Sequence, residues 1–219
     1  MKKYLDEDFI FIPYCRPGFT LTMEIKKLIL PSTNILILEN HGLIVAGDDI
    51  EDTYKLLLKI HKKLDLIRNE KLAFDYLEKI TNIDGYIHKN TDKYKLFSTQ
   101  DEKLFSLFPK SFYPDHVIFL GPGIPTFLEE KEANEFIQNL KRKNMNLPPY
   151  LILKYKGLFE NTLAIPAAKE MIDCFLEVLL RIDLSKSLKF LSSQQESELL
   201  NWDIEIYLSL IHISEPTRP

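Results

Sequence analysis

Short apolar runs of strand length alternate with segments of helical periodicity along most of the chain, and this alternation is what most constrains the fold. Ile35–Leu38 and Tyr150–Lys154 are apolar runs of strand length, whereas Leu21–Ile29 and Ile165–Ile182 repeat apolar residues at helical spacing. Strands that alternate with helices are typical of layered α/β domains and not of helical bundles. The sequence therefore predicts an α/β fold, with an α/β/α layered first part and a smaller α/β domain after it.

The beginning of the chain predicts a strand followed by a helix. Phe9–Ile12 is a short apolar run closed by Pro13, which cannot donate a backbone hydrogen bond. Thr20 or Thr22 is the expected N-cap of the helix, which should end before Pro31.

Two extended runs then meet at a histidine. Ile35–Leu38 and Leu43–Ala46 are separated by Asn40-His41-Gly42, which predicts adjacent strands joined by a tight bend. Asp48 or Asp49 is the expected N-cap of the next helix. Its apolar positions are expected on one face and are Ile50, Tyr54, Leu57, Leu58, Leu64 and Ile67.

The rest of the chain predicts a second α/β unit. The expected strands are Val117–Leu120 and Tyr150–Lys154, and the expected helices are Glu129–Lys141, Ile165–Ile182 and Gln194–Tyr207. The polar stretch Asn69–Gln100 indicates a broken helix and a linker. We therefore divide the chain into a first domain at residues 1–72, a linker at 73–100, a second domain at 101–207 and a tail at 208–219.

The tail Leu208–Pro219 resembles the in-frame translation of a sequencing adapter at every one of its positions. We expect it to be non-biological and poorly packed. This expectation removes His212 from the candidate ligands.

Composition excludes several classes of protein. No apolar run approaches the roughly 18 residues that a membrane span requires, and Lys+Arg 28 against Asp+Glu 32 leaves no basic surplus for nucleic acid. Acidic Asp6–Asp8 stands where a signal peptide would be apolar. We expect a cytoplasmic protein in which Cys15 and Cys174 are buried or half-buried thiols.

His41 is the residue whose setting best suggests chemistry, because neutral imidazole is a common metal ligand. The following Gly42 would permit close backbone approach, which can aim the ring into a cleft. A lone histidine beside a strand is nevertheless more often structural. His61 and His88 are expected on the surface, and His116 is expected to orient a loop by hydrogen bonding.

Other candidates each have a structural alternative. Arg16 can bind a phosphate or carboxylate, or simply lie in an exposed turn. Tyr14 is a proton donor or a packing residue, and Glu39 is either a general base beside His41 or turned away by strand alternation. Gly121-Pro-Gly123 is compatible with a phosphate loop, but no Walker lysine follows, which favours a turn.

The order of these motifs resembles the C-terminal part of the class II aldolase/adducin family. Phe11–Leu21, Ile35–Gly47 and the acidic helix start give its sequence of proline-glycine turn, helix, strand, Asn-His-Gly, strand and helix. Three later segments look like the second domain of a longer subfamily related to rhamnulose-phosphate aldolase/alcohol dehydrogenases, namely Tyr113–Gly121, Pro149–Phe159 and Leu199–Glu205.

The resemblance implies a divalent metal, usually zinc, held by three histidines, and His41 matches the third. As a Lewis acid, such a metal stabilises the enediolate of a sugar or sugar phosphate substrate. The sequence contains no His-x-His pair to supply the other two ligands. We therefore expect an N-terminally truncated fragment that binds no metal itself and is inactive as an aldolase.

Several alternatives remain at this point. A sugar-phosphate epimerase uses similar metal chemistry, whereas an adducin-like scaffold keeps the fold without catalysis. The resemblance also implies a homo-oligomer when the protein is complete. A truncated sheet should leave apolar edges or faces exposed around the strands at Ile35 and Leu43.

Overall fold

The structure is a computed structural model that describes residues 5–65 and 82–201. The chain divides into two compact units, Met1–Arg68 and Asn69–Pro219, here called the first and second units. No helix within the described residues is long and apolar enough to cross a membrane. Both units combine helices with a mixed sheet, which confirms the predicted α/β fold.

The first unit contains a sheet with helices on both of its faces. Its elements are β1 (Ile10–Ile12), α1 (Phe19–Leu28), β2 (Ile35–Leu38), β3 (Gly42–Val45) and α2 (Ile50–Asp65). The strand order is β1-β2-β3, with β1 parallel and β3 antiparallel to β2. Helix α1 therefore connects two parallel strands, as a βαβ crossover requires.

Strand β2 is buried on both faces, which explains its continuous apolar sequence. Ile35 and Ile37 pack with Ile60 of α2, whereas Leu36 and Leu38 pack with Leu21 of α1. The predicted α/β/α layering of the first unit is thus confirmed.

Helix starts in the first unit follow the chain's local chemistry. Helix α2 begins after Asp49, whose carboxylate accepts a hydrogen bond from the Asp52 backbone N–H at 2.8 Å, as predicted. Helix α1 instead has Gly18 as its N-cap, without a side-chain cap. The predicted threonine cap was wrong, since the Thr22 hydroxyl donates back to the Gly18 carbonyl from inside the helix.

The second unit has a sheet of order β4-β7-β6-β5 within its described residues. Its elements in chain order are β4 (Tyr86–His88), a 3-10 helix (Asp92–Ser98), α3 (Glu102–Phe105), α4 (Pro114–Leu120), β5 (Thr126–Phe127), α5 (Glu130–Arg142), β6 (Tyr150–Leu153), β7 (Gly157–Asn161), α6 (Pro166–Leu179) and α7 (Ser193–Leu200). Helix α5 packs on one face through Ala133 and Ile137. Helix α6 packs on the other through Ile172 and Phe175.

Two segments of the second unit differ from the sequence prediction. Val117–Leu120 belongs to α4 and is not a strand, because Pro114 opens a helix at its first position. Residues 82–100, placed in the expected linker, include β4 and the 3-10 helix, whose Phe97 is fully buried. The rest of that linker, and the tail 208–219, lie outside the described residues.

Candidate functional site

His41 lies in a three-residue loop that joins β2 to β3. Leu38 pairs with Gly42 across the loop, and the His41 backbone N–H donates to the Leu38 carbonyl at 3.2 Å. Asn40 adopts a left-handed backbone with φ 53°, which asparagine tolerates better than most residues. The tight bend predicted at Asn40-His41-Gly42 is therefore confirmed.

Gly42 serves the loop by its backbone conformation. Its φ is +153°, and a Cβ added there would meet no atom within 4 Å. The expected close backbone approach at this glycine was therefore wrong.

The imidazole of His41 is exposed and is not enclosed by aliphatic side chains. A cleft of about 600 Å³ opens nearby between β3 and α2, in the same unit, but His41 is not among its lining residues. Its apolar lining comes from Leu43, Val45, Ile50, Tyr54 and Leu57. The structure thus leaves His41 accessible at the tip of a hairpin without placing it in this cleft.

The segment around Tyr14 lies against the base of the His41 hairpin. The Tyr14 backbone N–H donates to the Glu39 carboxylate at 3.1 Å, and the Glu39 N–H donates to the Ile12 carbonyl at 2.9 Å. Glu39 therefore holds the proline-glycine segment beside the hairpin. Arg16 lies in the exposed part of that segment, as its structural alternative predicted.

Ion pairs fasten the start of the first unit to α2. The Glu7 carboxylate accepts from Lys59 and Lys63, each at 2.8 Å. Hydrogen bonds from these two lysines lower the pKa of Glu7 to about 2. Lys63 also pairs with Asp6 at 3.1 Å, so the C-terminal half of α2 has its position fixed by charge as well as by packing.

The other histidines lie apart from the hairpin in sequence and environment. His61 is exposed on α2, as predicted. His88 is half-buried, with its Nε2 2.7 Å from the Lys156 carbonyl and its ring stacked on Phe159, so its expected surface position was wrong. His116 is fully buried, and neither ring nitrogen has a hydrogen-bond partner, which contradicts its expected loop-orienting bond.

The two cysteines also differ in exposure. Cys15 is half-buried, and burial, with the Glu24 carboxylate, raises the pKa of its thiol. Cys174 is exposed, contrary to prediction.

The described residues do not supply a complete metal site. Within residues 5–65 and 82–201, no three His, Cys, Asp or Glu side chains converge closely enough to hold an ion. A catalytic zinc needs about three protein ligands and an open position. His41 alone can contribute one ligand of such a site.

A charged network in the second unit was not predicted from the sequence. The Glu160 carboxylate of β7 accepts hydrogen bonds from Lys89 at 3.2 Å, Lys169 at 3.3 Å and the Tyr150 hydroxyl at 3.1 Å. A sequence signal was present, since Glu160 and Asn161 are polar residues in an otherwise buried apolar strand. Hydrogen bonds from all three donors compensate the charge of the buried Glu160 carboxylate, so the network has a structural role.

Comparison with known proteins concerns the first unit. Over 66 residues the chain is 30% identical to "Uncharacterized oxidoreductase YuxG" of Bacillus subtilis (strain 168), which covers 29% of this chain and 10% of that protein. No solved structure matches the chain. Residues 1–66, which include the whole His41 hairpin, match the family model described as Class II Aldolase and Adducin N-terminal domain.

Proposed function

We propose that this chain is part of a metal-dependent class II aldolase-like protein, an aldehyde-lyase that acts on a sugar or sugar phosphate. The observation that carries the proposal is the family match over residues 1–66, inside which the His41 hairpin lies. His41 supplies one ligand to a divalent metal, with zinc as the expected ion. The remaining ligands and the phosphate-binding groups come from outside the described residues.

The accessibility of the His41 ring supports this role. A metal ligand must present a nitrogen lone pair to the ion, and the exposed ring can do so without rearrangement of the core. The hairpin holds the backbone of His41 in place through the Leu38 carbonyl.

The domain assignment forms part of the same proposal. Residues 1–72 are the C-terminal part of the aldolase-like domain, and residues 101–207 are the second domain of the longer subfamily. The word oxidoreductase in the name of the Bacillus subtilis relative supports the link to aldolase/alcohol dehydrogenases. A cytoplasmic location and homo-oligomeric assembly of the complete protein belong to this proposal too.

Zinc titration of the purified chain tests the role of His41. We expect no tight binding by this chain. Any weak binding that is measured should be lost in His41→Ala and retained in His61→Ala, because both histidines are exposed in the first unit but His41 alone is assigned to the metal. Chemical shifts of the histidine ring protons, followed by NMR, would identify the bound ring. Tight stoichiometric zinc binding that survives His41→Ala would contradict the proposal.

The coding sequence upstream of Met1 provides a second test. A His-x-His pair there, followed by metal-dependent cleavage of a sugar phosphate by the extended protein, would support the lyase. Metal-dependent epimerisation without cleavage would favour the epimerase, and an upstream sequence lacking such a pair would favour the adducin-like scaffold.

A further inference from the structure

We propose that the second unit binds a neutral sugar or another polyol in a cavity beside the first turn of α5. This inference does not depend on the metal role of His41, which lies in the first unit. It rests on the place of the cavity in the sheet and on the polar side chains that line it.

The cavity lies at the carboxyl ends of two parallel strands. Strands β5 and β6 are joined through α5, and Phe127 pairs with Leu153 where they end. In α/β sheets, ligands commonly bind outside the carboxyl ends of the strands. The cavity measures about 550 Å³, within the range of small-molecule sites. Its lining residues all follow β5 or β6 in the chain and are Leu128, Glu129, Glu130, Lys131, Asn134 and Lys156.

The start of α5 supplies its own hydrogen-bond partners. The Glu129 side chain accepts from the Glu132 backbone N–H. The Glu132 carboxylate accepts from the backbone N–H groups of Leu128 at 3.0 Å and Glu129 at 3.3 Å. These bonds occupy backbone donors that could otherwise hold an anion. The cavity therefore has to recognise a ligand through the remaining side chains.

Glu130 and Lys156 form a gap that suits a hydroxyl group. Oε2 of Glu130 lies 3.9 Å from Nζ of Lys156, which is too long for a direct hydrogen bond. One hydroxyl oxygen can lie about 2.8 Å from both atoms, donating its proton to the carboxylate and accepting from the ammonium group. A phosphate oxygen only accepts and an ammonium group only donates, so neither can bridge this pair in the same way.

Asn134 provides a second anchor, one helical turn from Glu130. Its Oδ1 accepts from the Asp84 backbone N–H at 3.4 Å, so its amide nitrogen, with two donor protons, remains for an oxygen of the ligand. Asn134, Glu130 and Lys156 are all half-buried. Leu128 is 61% exposed and offers apolar surface to the C–H groups of a sugar ring. Adjacent hydroxyl groups on an apolar carbon frame match this combination.

The backbone around Lys156 is already held in place. His88 Nε2 lies 2.7 Å from the Lys156 carbonyl, and the Lys156 N–H donates to the Leu153 carbonyl at 3.0 Å. The Lys154 N–H donates to the Phe127 carbonyl at 2.9 Å, which connects the end of β5 to the same hairpin. A preorganised backbone lowers the entropic cost of binding a ligand.

The charge of the lining favours a neutral ligand. Glu129 and Glu130 are balanced by Lys131 and Lys156. We therefore expect the phosphate ester of a sugar to bind no more tightly than the sugar itself. Since few polar groups contact the ligand, the expected dissociation constant is about 1–10 mM.

An NMR titration of the isotope-labelled complete chain tests the proposal. The probes are the neutral sugars ribose, glucose and mannose, with glucose phosphate and glycine as charged comparisons. At least one neutral sugar should shift the backbone amide signals of Leu128, Asn134 and Lys156 in a saturable manner. The His41 amide signal reports on the first unit and should not follow the same binding curve.

Two variants test the gap between Glu130 and Lys156. Glu130→Ala and Lys156→Met should each weaken sugar binding about threefold to tenfold, because each removes one hydrogen bond to the bridging hydroxyl. Glu196→Ala is the matched control, since Glu196 is also a half-buried glutamate in the first turn of a helix, α7. It should leave sugar binding unchanged. Circular dichroism checks that all three variants remain folded.

Three results would overturn the proposal. The first is that none of the neutral sugars shifts these amide signals, even if glycine or the phosphate ester does. The second is equal affinity in the wild type and in folded Glu130→Ala and Lys156→Met. The third is that sugar shifts are confined to the His41 hairpin, which would place sugar binding in the first unit and leave the lyase proposal intact.

Discussion

At the scale of single residues, His116 shows how burial controls charge. Its ring on α4 lies 4.6 Å from the Phe175 ring and 5.6 Å from the Tyr113 ring, both edge-on. Loss of water around the ring lowers the pKa of His116 to about 3. A neutral imidazole without hydrogen-bond partners is costly to bury, and a charged one would be costlier still.

His116 should make the second unit sensitive to acid. An ordinary histidine binds a proton near pH 6.5, whereas folded His116 does so near pH 3. The unfolded chain therefore binds more protons between these values, and His116 lowers the free energy of unfolding by up to about 1.4 kcal/mol for each unit that the pH falls through this window. Urea unfolding of wild type and His116→Phe at several pH values measures this contribution.

The phenylalanine variant keeps an aromatic ring in place and removes the titrating group. Its free energy of unfolding should decline less steeply with acid than that of the wild type. If the free energy of unfolding falls equally steeply with pH in both proteins, His116 is protonated in the folded state or contacts water.

Gly123 is a second position where a single added atom is expected to change the stability of the fold. Its φ is +76°, and an added Cβ would lie 2.5 Å from the carbonyl carbon and oxygen of Pro109. Gly121 has a similar φ of +92°, but an added Cβ there meets nothing closer than 4.0 Å. An added Cβ at Gly121 therefore meets backbone strain alone, whereas at Gly123 it meets backbone strain and steric overlap with Pro109.

Gly121→Ala should cost about 1–2 kcal/mol of unfolding free energy because of its left-handed backbone. Gly123→Ala should cost clearly more, since the Pro109 backbone must also move. Urea denaturation of both variants provides the comparison. Equal losses would mean that the loop relaxes freely around Pro109.

At the scale of elements, Glu160 connects β7 to the chain after β4 and to α6. Burial raises the pKa of Glu160, but hydrogen bonds from Lys89, Lys169 and Tyr150 outweigh this effect, so its pKa lies below the ordinary value. The charged carboxylate thus stabilises the fold at neutral pH, and this contribution is lost as the pH falls through the lowered pKa.

Glu160→Gln should lower the free energy of unfolding by about 1–3 kcal/mol, a range reduced from that of fully buried pairs because Lys169 is half exposed. Glu102→Gln is the control, since Glu102 is 69% exposed in its pair with Lys154 and its loss should be smaller. Chemical denaturation at neutral pH measures both. Equal effects would place the Glu160 network among ordinary surface ion pairs.

The elements also show which parts of the fold the sequence can predict. Helix α5 was predicted because its apolar pattern is long and bounded by a clear cap, and strand β2 because its alternating isoleucine and leucine run ends at the Asn40-His41-Gly42 turn. Val117–Leu120 was assigned the wrong type, since a four-residue apolar run fits a strand or one helical turn equally well. The burial of Phe97 was not predicted from the polar stretch after residue 82. The buried residues of this stretch belong to a 3-10 helix that is too short to show a periodic apolar pattern.

The candidate site was predicted only at the level of the hairpin. Asn40 and Gly42 marked the turn, and His41 is accessible at its tip. The Tyr14–Glu39 hydrogen bond and the partnerless His116 ring depend on packing between distant residues, which local pattern does not encode.

At the scale of the whole molecule, the two units differ in how completely they cover their apolar residues. Several large apolar side chains of the first unit are more than 40% exposed, among them Phe19, Leu30, Ile50 and Tyr54. Around the first sheet, the expected apolar exposure is found at β3, where Leu43 and Ile44 are partly exposed, but the expectation was wrong at Ile35, which is buried. The second unit has clusters on both faces of its sheet, each closed by its own helices.

We therefore expect residues 82–201 to fold when produced alone. Their NMR spectrum should show dispersed amide signals, because both cores are internal to this segment. Residues 1–65 alone should associate or aggregate as concentration rises, owing to their exposed apolar side chains. A collapsed, undispersed spectrum for residues 82–201 would show that this unit needs the rest of the chain.

The three-residue loop of the His41 hairpin recurs between β6 and β7, where Tyr155 has φ 64° and Leu153 pairs with Gly157. Loops this short tolerate substitution far better than insertion. One added residue beside His41 would shift β3 by a position, turning Ile44 towards α2 and Leu43 away from the cleft. Homologous hairpins should accordingly vary in residue type while keeping their length.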